Sequence, residues 1–296
     1  MKKILFQFDG DNQPSSFDAV VAIDAGVDHL VPYGGVQATM VEPLVHGAMF
    51  TRGGDQLKNT ALFLGGSDVG AAETLLRCVK ETFFGPVRVS VMMDANGCNT
   101  TASAAVVSAS RHVQLSGADA VVLGGTGPVG QRVARLLAGD GASVQLTSRS
   151  LARAAQACTQ VREEAGLGEN GSRGGNVTAA ELASPDDLAA LLSNAQIVIA
   201  CGAAGVQFAT DKDLAKATDL AVAIDLNAVP PAGLGGIAVT DKATPLGETQ
   251  AVGYGAIGVG GLKMKTHRRA IESLFESNDK VLNATEIYQI AKEVAK

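Results

Sequence analysis

The 296-residue sequence predicts an α/β protein of two domains, each built on a mostly parallel sheet. Three observations predict it. The chain is longer than one ordinary hydrophobic core supports. Short apolar runs alternate with helical patterns almost from end to end. At mid-chain, a strand runs straight through closely spaced glycines into a helix.

Taken in order, residues 3–8 read as a strand, 15–25 as a helix opened by Pro14-Ser15-Ser16, and 29–32 as a second strand. Residues 60–64 form an apolar strand ending in Gly65-Gly66, 69–83 a helix, and 87–93 a strand ending at Asp94. Near-continuous apolar strands of this kind suit a parallel sheet covered on both faces. The stretch 95–101 opens a long alanine-rich helix, 102–113, which reads as a connector.

Beyond it, strand 120–123 enters the glycine turn, a helix follows, and strand 143–147 closes a βαβ unit of roughly 30 residues. Helix 151–165, a glycine-rich loop at 166–176, helix 185–192, strand 197–200, helix 212–216 and strand 220–226 continue the alternation. Residues 253–261 are glycine-dense, as where a chain passes close to a neighbour, and the next residues turn basic and helical. A return helix docks on the first domain through Ile271, Leu274 and Phe275, and a terminal helix spans 286–294. The first domain is therefore 1–100 completed by 264–296, and the second 101–263.

Gly125-Thr126-Gly127-Pro128-Val129-Gly130 stands in the G-x-G-x-x-G register. The first glycine permits the tight turn, the second lets backbone approach a pyrophosphate, and the third lets helix pack on strand. The helix N-terminus then holds the anion. The second domain is thus a Rossmann-type NAD(P)-binding domain, with Gly125, Thr126, Gly127, Pro128 and Val129 at the dinucleotide. The tip of the following strand carries Ser148-Arg149-Ser150 with Arg153 one helical turn on, and no acidic residue to hold a ribose 2′-hydroxyl. Hydroxyls and guanidinium suit a 2′-phosphate, so NADP is favoured and NAD admitted. Cys201, Gly202 and Ala203 follow one strand and Asn227 another, at carboxyl ends that border the nicotinamide half.

The formal charge of −6, from 30 acidic and 24 basic side chains without a Lys/Arg block, argues against nucleic-acid or membrane partners. Four scattered cysteines and four histidines show no metal-ligand spacing, so no metal is expected. The start of the chain suits neither a signal peptide nor a transmembrane helix, and the expected location is the cytoplasm.

Several separated motifs carry a resemblance over essentially the entire chain. They are Leu5-Phe6-Gln7-Phe8-Asp9, Tyr33-Gly34, Thr51-Arg52-Gly53-Gly54, Phe83-Phe84-Gly85-Pro86, Asn96-Gly97 with Asn99-Thr100-Thr101, the glycine turn, Pro230-Pro231 with Gly235-Gly236-Ile237, and Gly260-Gly261-Leu262-Lys263 with Lys265 and His267-Arg268. In these the sequence resembles the NADP-dependent methylene-tetrahydromethanopterin dehydrogenases of methylotrophic bacteria. The resemblance implies oxidation of the methylene bridge between N5 and N10 of a reduced pterin carrier to the methenyl form, with hydride passing to the nicotinamide, in the one-carbon oxidation of formaldehyde. It also implies the pterin in a cleft between domains and a homo-oligomer, a trimer or a multiple of it.

The resemblance places a functional lysine at Lys263, which either orients the pterin by hydrogen bonding or works as a neutral amine. Of Lys263 and Lys265, two apart on a helix, only one can point into a cleft. Asp94, with Asn96, Asn99, Thr100 and Thr101, is a candidate set of pterin contacts, and Asp94 a candidate stabiliser of the product cation. Helix capping accounts equally well for any one of Asn99, Thr100 and Thr101. Asp18 and Tyr33 are further candidates for the pterin, His267 for the carrier's acidic tail and Arg52 for an anion. Two other readings stay open: a methylene-tetrahydrofolate dehydrogenase, and a non-catalytic NADP-sensing protein.

Overall fold

The computed structural model describes residues 1–167 and 175–296. The expected loop at 166–176 therefore falls mostly outside the described residues. The chain divides into two compact units, Met1–Thr100 with Lys263–Lys296, and Thr101–Leu262.

In the first unit the order is β1 (Ile4–Asp9), α1 (Ser16–Asp24), β2 (His29–Tyr33), α2 (Ala38–Met49), β3 (Thr60–Gly65), α3 (Val69–Thr82) and β4 (Ser90–Met93). Helix α4 (Cys98–Ala109) then runs into the second unit. The five strands lie in the order β12-β4-β3-β1-β2, where β12 is Val281–Leu282, and every pairing is parallel. Leu5, Ala61 and Phe63 on one face of this sheet pack with Val21 and Ala22 of α1 and with Ala270, Ile271, Leu274 and Phe275. Those last four belong to α9 (Ala256–Ser273) and the turn after it, and α10 (Ala284–Val294) adds Ile287. Burying a Leu or Ile side chain of this kind stabilises by roughly 1.5–3 kcal/mol, so the C-terminal helices are structural members of the first unit.

The second unit contains β5 (Asp119–Leu123), α5 (Pro128–Gly139), β6 (Ser143–Ser148), α6 (Leu151–Ala165), β7 (Asn176–Glu181), α7 (Pro185–Leu192), β8 (Ile197–Ala200), α8 (Asp211–Leu214), β9 (Val222–Asp225), β10 (Lys242–Pro245) and β11 (Val252–Tyr254). Its strand order is β10-β11-β9-β8-β5-β6-β7, parallel except for the β10–β11 pair. In both sheets the strand order reverses at an early strand, between β2 and β3 at β1, and between β6 and β8 at β5. Ligands of open α/β sheets gather at the carboxyl ends of strands at such points.

Helix α2 escapes sequence reading because Pro43 and Gly47 interrupt its pattern, although Val41, Val45, Ala48 and Met49 bury one face. Strand β4 is shorter than expected, since Phe84 and Val87 exchange hydrogen bonds in a turn that delays the sheet until Ser90. Edge strands β7 and β10 pair on one side only, and half-exposed sequences of this kind give no apolar run to read. The glycine-dense segment does pass close to a neighbour: a side chain at Gly255 or Gly258 would collide with backbone of residues 238–241. It continues as helix α9.

Candidate active site

At the carboxyl edge of the first unit's sheet, β1 ends in Asp9, β3 in Gly65 and β4 leads into Asp94. Helix α1 begins above this edge with Ser15 as its N-cap, and Asp18 sits in its first turn. Asp9 is fully buried and accepts from the amides of Asp11 at 2.9 Å and Ser15 at 3.0 Å. It thereby fixes the entry to α1.

Asp94 does the same for α4. Its Oδ1 accepts from the amides of Asn99 at 2.8 Å and Thr100 at 3.0 Å, and its Oδ2 from the Thr100 hydroxyl at 2.6 Å. The cap of this helix is therefore the aspartate that precedes it, not one of the three candidates Asn99, Thr100 and Thr101. Burial pushes the Asp94 carboxyl up to about 6, against the opposing pull of the Thr100 hydroxyl and amide, the Lys263 ammonium and the Asn99 amide. Asn99 is itself buried, its side-chain nitrogen donating to Met93 O at 2.6 Å and Asn283 Oδ1 at 3.0 Å. Thr101 is half-buried on the same helix.

Between Asp94 and α4 the backbone makes a tight turn through Asn96 (φ 51°) and Gly97 (φ 60°), and the exposed Asn96 donates its amide to Gly66 O at 2.8 Å. Gly97 matters for what lies over it. A Cβ there would stand 2.5 Å from Lys263 Nζ, so only glycine leaves the ammonium its place. Lys263 is half-buried, with Nζ also 5.7 Å from the centre of the Phe17 ring, while Lys265 points away to solvent.

His267 stands one helical turn after Lys263 and is fully buried. Its ring stacks on Phe63 at 5.6 Å, and Nε2 lies 4.0 Å from Asp18 Oδ1. Burial holds the imidazole down at about 4, opposed by Asp18 and reinforced by the Lys263 charge. Burial raises the Asp18 carboxyl, partly offset by His267 and Ser15 and reinforced by the charges of Asp94 and Asp9. The edge thus gathers the carboxyl groups of Asp9, Asp18 and Asp94, with the Lys263 ammonium by Asp94 and a neutral imidazole by Asp18. Tyr33 is not among them: its ring packs with Phe6 at 6.3 Å and Phe8 at 5.8 Å, on the sheet face opposite Gln7 and Asp9. Arg52 spends its guanidinium on Asn59 O at 2.6 Å and Thr60 Oγ1 at 3.1 Å, which ties down the turn before β3.

The second unit's carboxyl edge is built from backbone. A side chain on Gly125 would strike Leu146 at 2.7 Å, and one on Gly130 would meet Gly125 Cα at 2.6 Å, so both are required by packing. A Cβ at Gly127 would meet nothing within 4 Å. That open space sits at the N-cap of α5, where Pro128 occupies the first turn and unbonded amides accumulate. It suits a pyrophosphate that approaches the backbone. The Thr126 carbonyl accepts from Gln131 Nε2 at 2.8 Å, and Val129 lies in the first turn of the helix. Thr147 braces the loop, its hydroxyl accepting from Gly124 N at 3.1 Å and its carbonyl from Gly125 N at 3.0 Å.

Beyond Thr147, Ser148 is half-buried and takes the Ser150 amide, Ser150 caps α6 at Arg153, and Arg149 and Arg153 are exposed. At β8, Cys201 and Gly202 lead into exposed Ala203, with the Phe208 ring closed against Gly202. Burial and the Asp225 charge push the Cys201 thiol far above its ordinary range, so it supplies no thiolate nucleophile. Asn227 bonds within its own loop, donating to Pro231 O at 3.1 Å and accepting from Val229 N at 3.0 Å. Among the described residues no metal-binding cluster occurs, and no helix is long and apolar enough to cross a membrane.

Residues 16–96 match the family described as methylene-tetrahydromethanopterin dehydrogenase, N-terminal. The sequence is 45% identical over 296 residues, 99% of each chain, to the Methylorubrum extorquens protein named Bifunctional protein MdtA. It is 32% identical over 289 residues, 95% of each chain, to the NAD(P)-dependent methylenetetrahydromethanopterin dehydrogenase of the same organism. In fold it is similar to the quinate dehydrogenase of Corynebacterium glutamicum, with TM-score 0.55 and 13% identity over 98% of this chain and 99% of that one. A shikimate 5-dehydrogenase of Mycobacterium fortuitum gives TM-score 0.53 and 12% identity over 98% of both chains. The paired α/β units and a near-full-length likeness at these identities make this chain a member of the methylene-tetrahydromethanopterin dehydrogenase family.

Proposed function

We propose that the protein catalyses reversible hydride transfer from N5,N10-methylene-tetrahydromethanopterin to NADP, with NAD as a second acceptor, giving the methenyl form in one-carbon oxidation. The observation that carries this reading is the Lys263 ammonium beside buried Asp94, with His267 next to Asp18 one helical turn on, at the strand ends of the first unit. The family membership supports the methanopterin carrier over the folate carrier and over a non-catalytic sensor.

The reaction moves a hydride from a carbon flanked by two nitrogens and leaves a delocalised cation, with no net proton released. The first unit binds the carrier: Lys263, Asp18 and exposed Asn96 touch the pterin, and Asn99 and Thr100 act behind Asp94 by holding its carboxylate. Asp94 and Asp18 oppose the positive charge that grows on the bridge, while Lys263 orients the ring system through hydrogen bonds. The neutral state of His267 spares the site a second cation.

When bound, the dinucleotide supplies the hydride acceptor at nicotinamide C4. Gly125, Thr126, Gly127, Pro128 and Val129 hold its pyrophosphate, Arg149 and Arg153 with Ser148 and Ser150 take the 2′-phosphate, and Cys201, Gly202, Ala203 and Asn227 border the ring end. The protein works as a cytoplasmic homo-oligomer, a trimer or a multiple of it. The family resemblance supports the assembly, and four free thiols suit a reducing compartment.

The test is to measure reduction of NADP and of NAD with methylene-tetrahydromethanopterin and, separately, with methylene-tetrahydrofolate. Turnover with the methanopterin carrier, faster with NADP, is expected. Turnover with folate alone, or NADP binding without turnover, would overturn the reading.

A further inference from the structure

Among the described residues, four buried side-chain polar atoms have no hydrogen-bond partner, and three of them flank one phenylalanine. Gln7 is paired with Phe63 across the β1–β3 register and carries the unpartnered Oε1. His267 stacks on the same ring and carries two unpartnered nitrogens. A histidine present only for packing ordinarily satisfies its ring nitrogens, because a buried polar group left unpaired is costly. A phenylalanine would fill this site without that cost. The polar ring lies instead where α9 meets Asp18 of α1, one turn from Lys263 and 4.0 Å from that carboxylate.

We propose that His267 is a positioning residue: its neutral Nε2–H donates to Asp18 and fixes that carboxylate as the acceptor for an N–H donor of the pterin ring. The proposal rests on the reading of the carrier as substrate. The groups that face the imidazole are Asp18 on α1, Lys263 on its own helix and, through Asp18, the carboxyls of Asp9 and Asp94. The surrounding carboxylates are already balanced in part by Lys263, and an imidazolium would cancel the remaining negative charge that suits a cationic product. A neutral donor aligns Asp18 and leaves its charge in place. The gap of 4.0 Å exceeds a hydrogen bond, and site hydrogen bonds of this kind tighten when substrate is bound.

Steady-state kinetics of wild type, His267→Gln, His267→Phe, Asp18→Asn and the double variant Asp18→Asn/His267→Phe test this. With methylene-tetrahydromethanopterin, His267→Phe is expected to raise KM about tenfold, with kcat and NADP affinity changed much less, the size of one hydrogen bond to a charged group. His267→Gln, which retains an N–H, recovers most of that loss. The double variant is no worse than Asp18→Asn alone, because His267 has nothing left to orient. Additive losses, or failure of the glutamine variant to recover KM, overturn the proposal while leaving the activity assigned. Absence of turnover in wild type strikes the functional reading instead. A second measurement holds even where a variant does not fold: nitrogen-15 NMR of histidine-labelled wild type with carrier bound at neutral pH. A neutral Nε2–H tautomer is expected for His267, and a cationic ring or an Nδ1–H tautomer overturns the proposal.

Discussion

The two carboxyl edges of this protein solve opposite problems by opposite means. On the second unit's edge the working parts are absences of side chains: Gly125 and Gly130 let strand, turn and helix touch, and Gly127 leaves open space at a helix N-terminus. On the first unit's edge the working parts are charges taken out of water, Asp9, Asp94 and most of Asp18, with Lys263 above Gly97. Backbone amides suit a dinucleotide, whose pyrophosphate asks only for donors and close approach. Buried carboxylates suit a reaction in which positive charge appears, because their field is strong where water is excluded.

If that division holds, each edge breaks separately. The largest effect is expected from Lys263→Ala, which should lower kcat with the methanopterin carrier by about 100-fold or more. NADP affinity, measured by calorimetry, should stay within about twofold. An equal loss in both would place the lysine in the dinucleotide's service and erase the contrast.

The glycine edge is sharpened by two substitutions that differ in kind. The Cβ added by Gly127→Ala meets no neighbour within 4 Å, so melting should barely change while NADP affinity falls on the order of tenfold. Gly130→Val drives a side chain into Gly125, with its Cβ 2.6 Å from that Cα, and should lower both affinity and melting temperature. Similar thermal behaviour of the two would mean that Gly127 is a packing glycine after all.

The charged edge should respond to pH where the glycine edge does not. Asp94 ionises at about 6, so kcat should fall as pH drops through that value while NADP affinity changes little. Stability moves the other way. The folded-state value lies above the unfolded one of 3.8, so the Asp94 contribution to stability is full below 3.8 and is lost as pH rises through about 6. Denaturant melts of wild type against Asp94→Asn should show wild type gaining on the variant as pH is lowered across that window. The smallest effect is expected from Arg149→Ala, which should shift the NADP-to-NAD preference by about tenfold or less, since the exposed guanidinium meets a phosphate in water.

The sequence made the glycine edge legible because its parts lie within Gly125–Gly130 and the adjoining strand, and local spacing is what a sequence displays. The succession of strands and helices is legible for the same reason, except where Pro43 hides α2, where the edge strands β7 and β10 lack an apolar run, and where β11 and β12 are only three and two residues long. The charged edge was named in pieces. Lys263, Asp94 and Asp18 stood out by motif or by strand end, yet nothing in the spacing joins residue 18 to residue 267. That juxtaposition needs α9 to return across the first sheet through Ile271 and Leu274. Asp94 as the cap of α4 is not legible because a three-residue turn, Ala95–Gly97, separates it from the amides it holds, and capping is ordinarily read one residue before a helix. Gln7, buried in a strand, is not legible as a functional residue, since polarity inside a strand becomes informative only once the face it occupies is known.

The most direct test of direct hydride transfer between the two ligands follows the hydrogen itself. Methylene-tetrahydromethanopterin carrying deuterium in the bridging methylene would be reacted with NADP in a single turnover, and the product nicotinamide analysed by mass spectrometry and NMR. The account predicts deuterium on one face of nicotinamide C4, without exchange into solvent. Deuterium found in the water, or reduced cofactor without label from a carrier labelled in both positions, would contradict it.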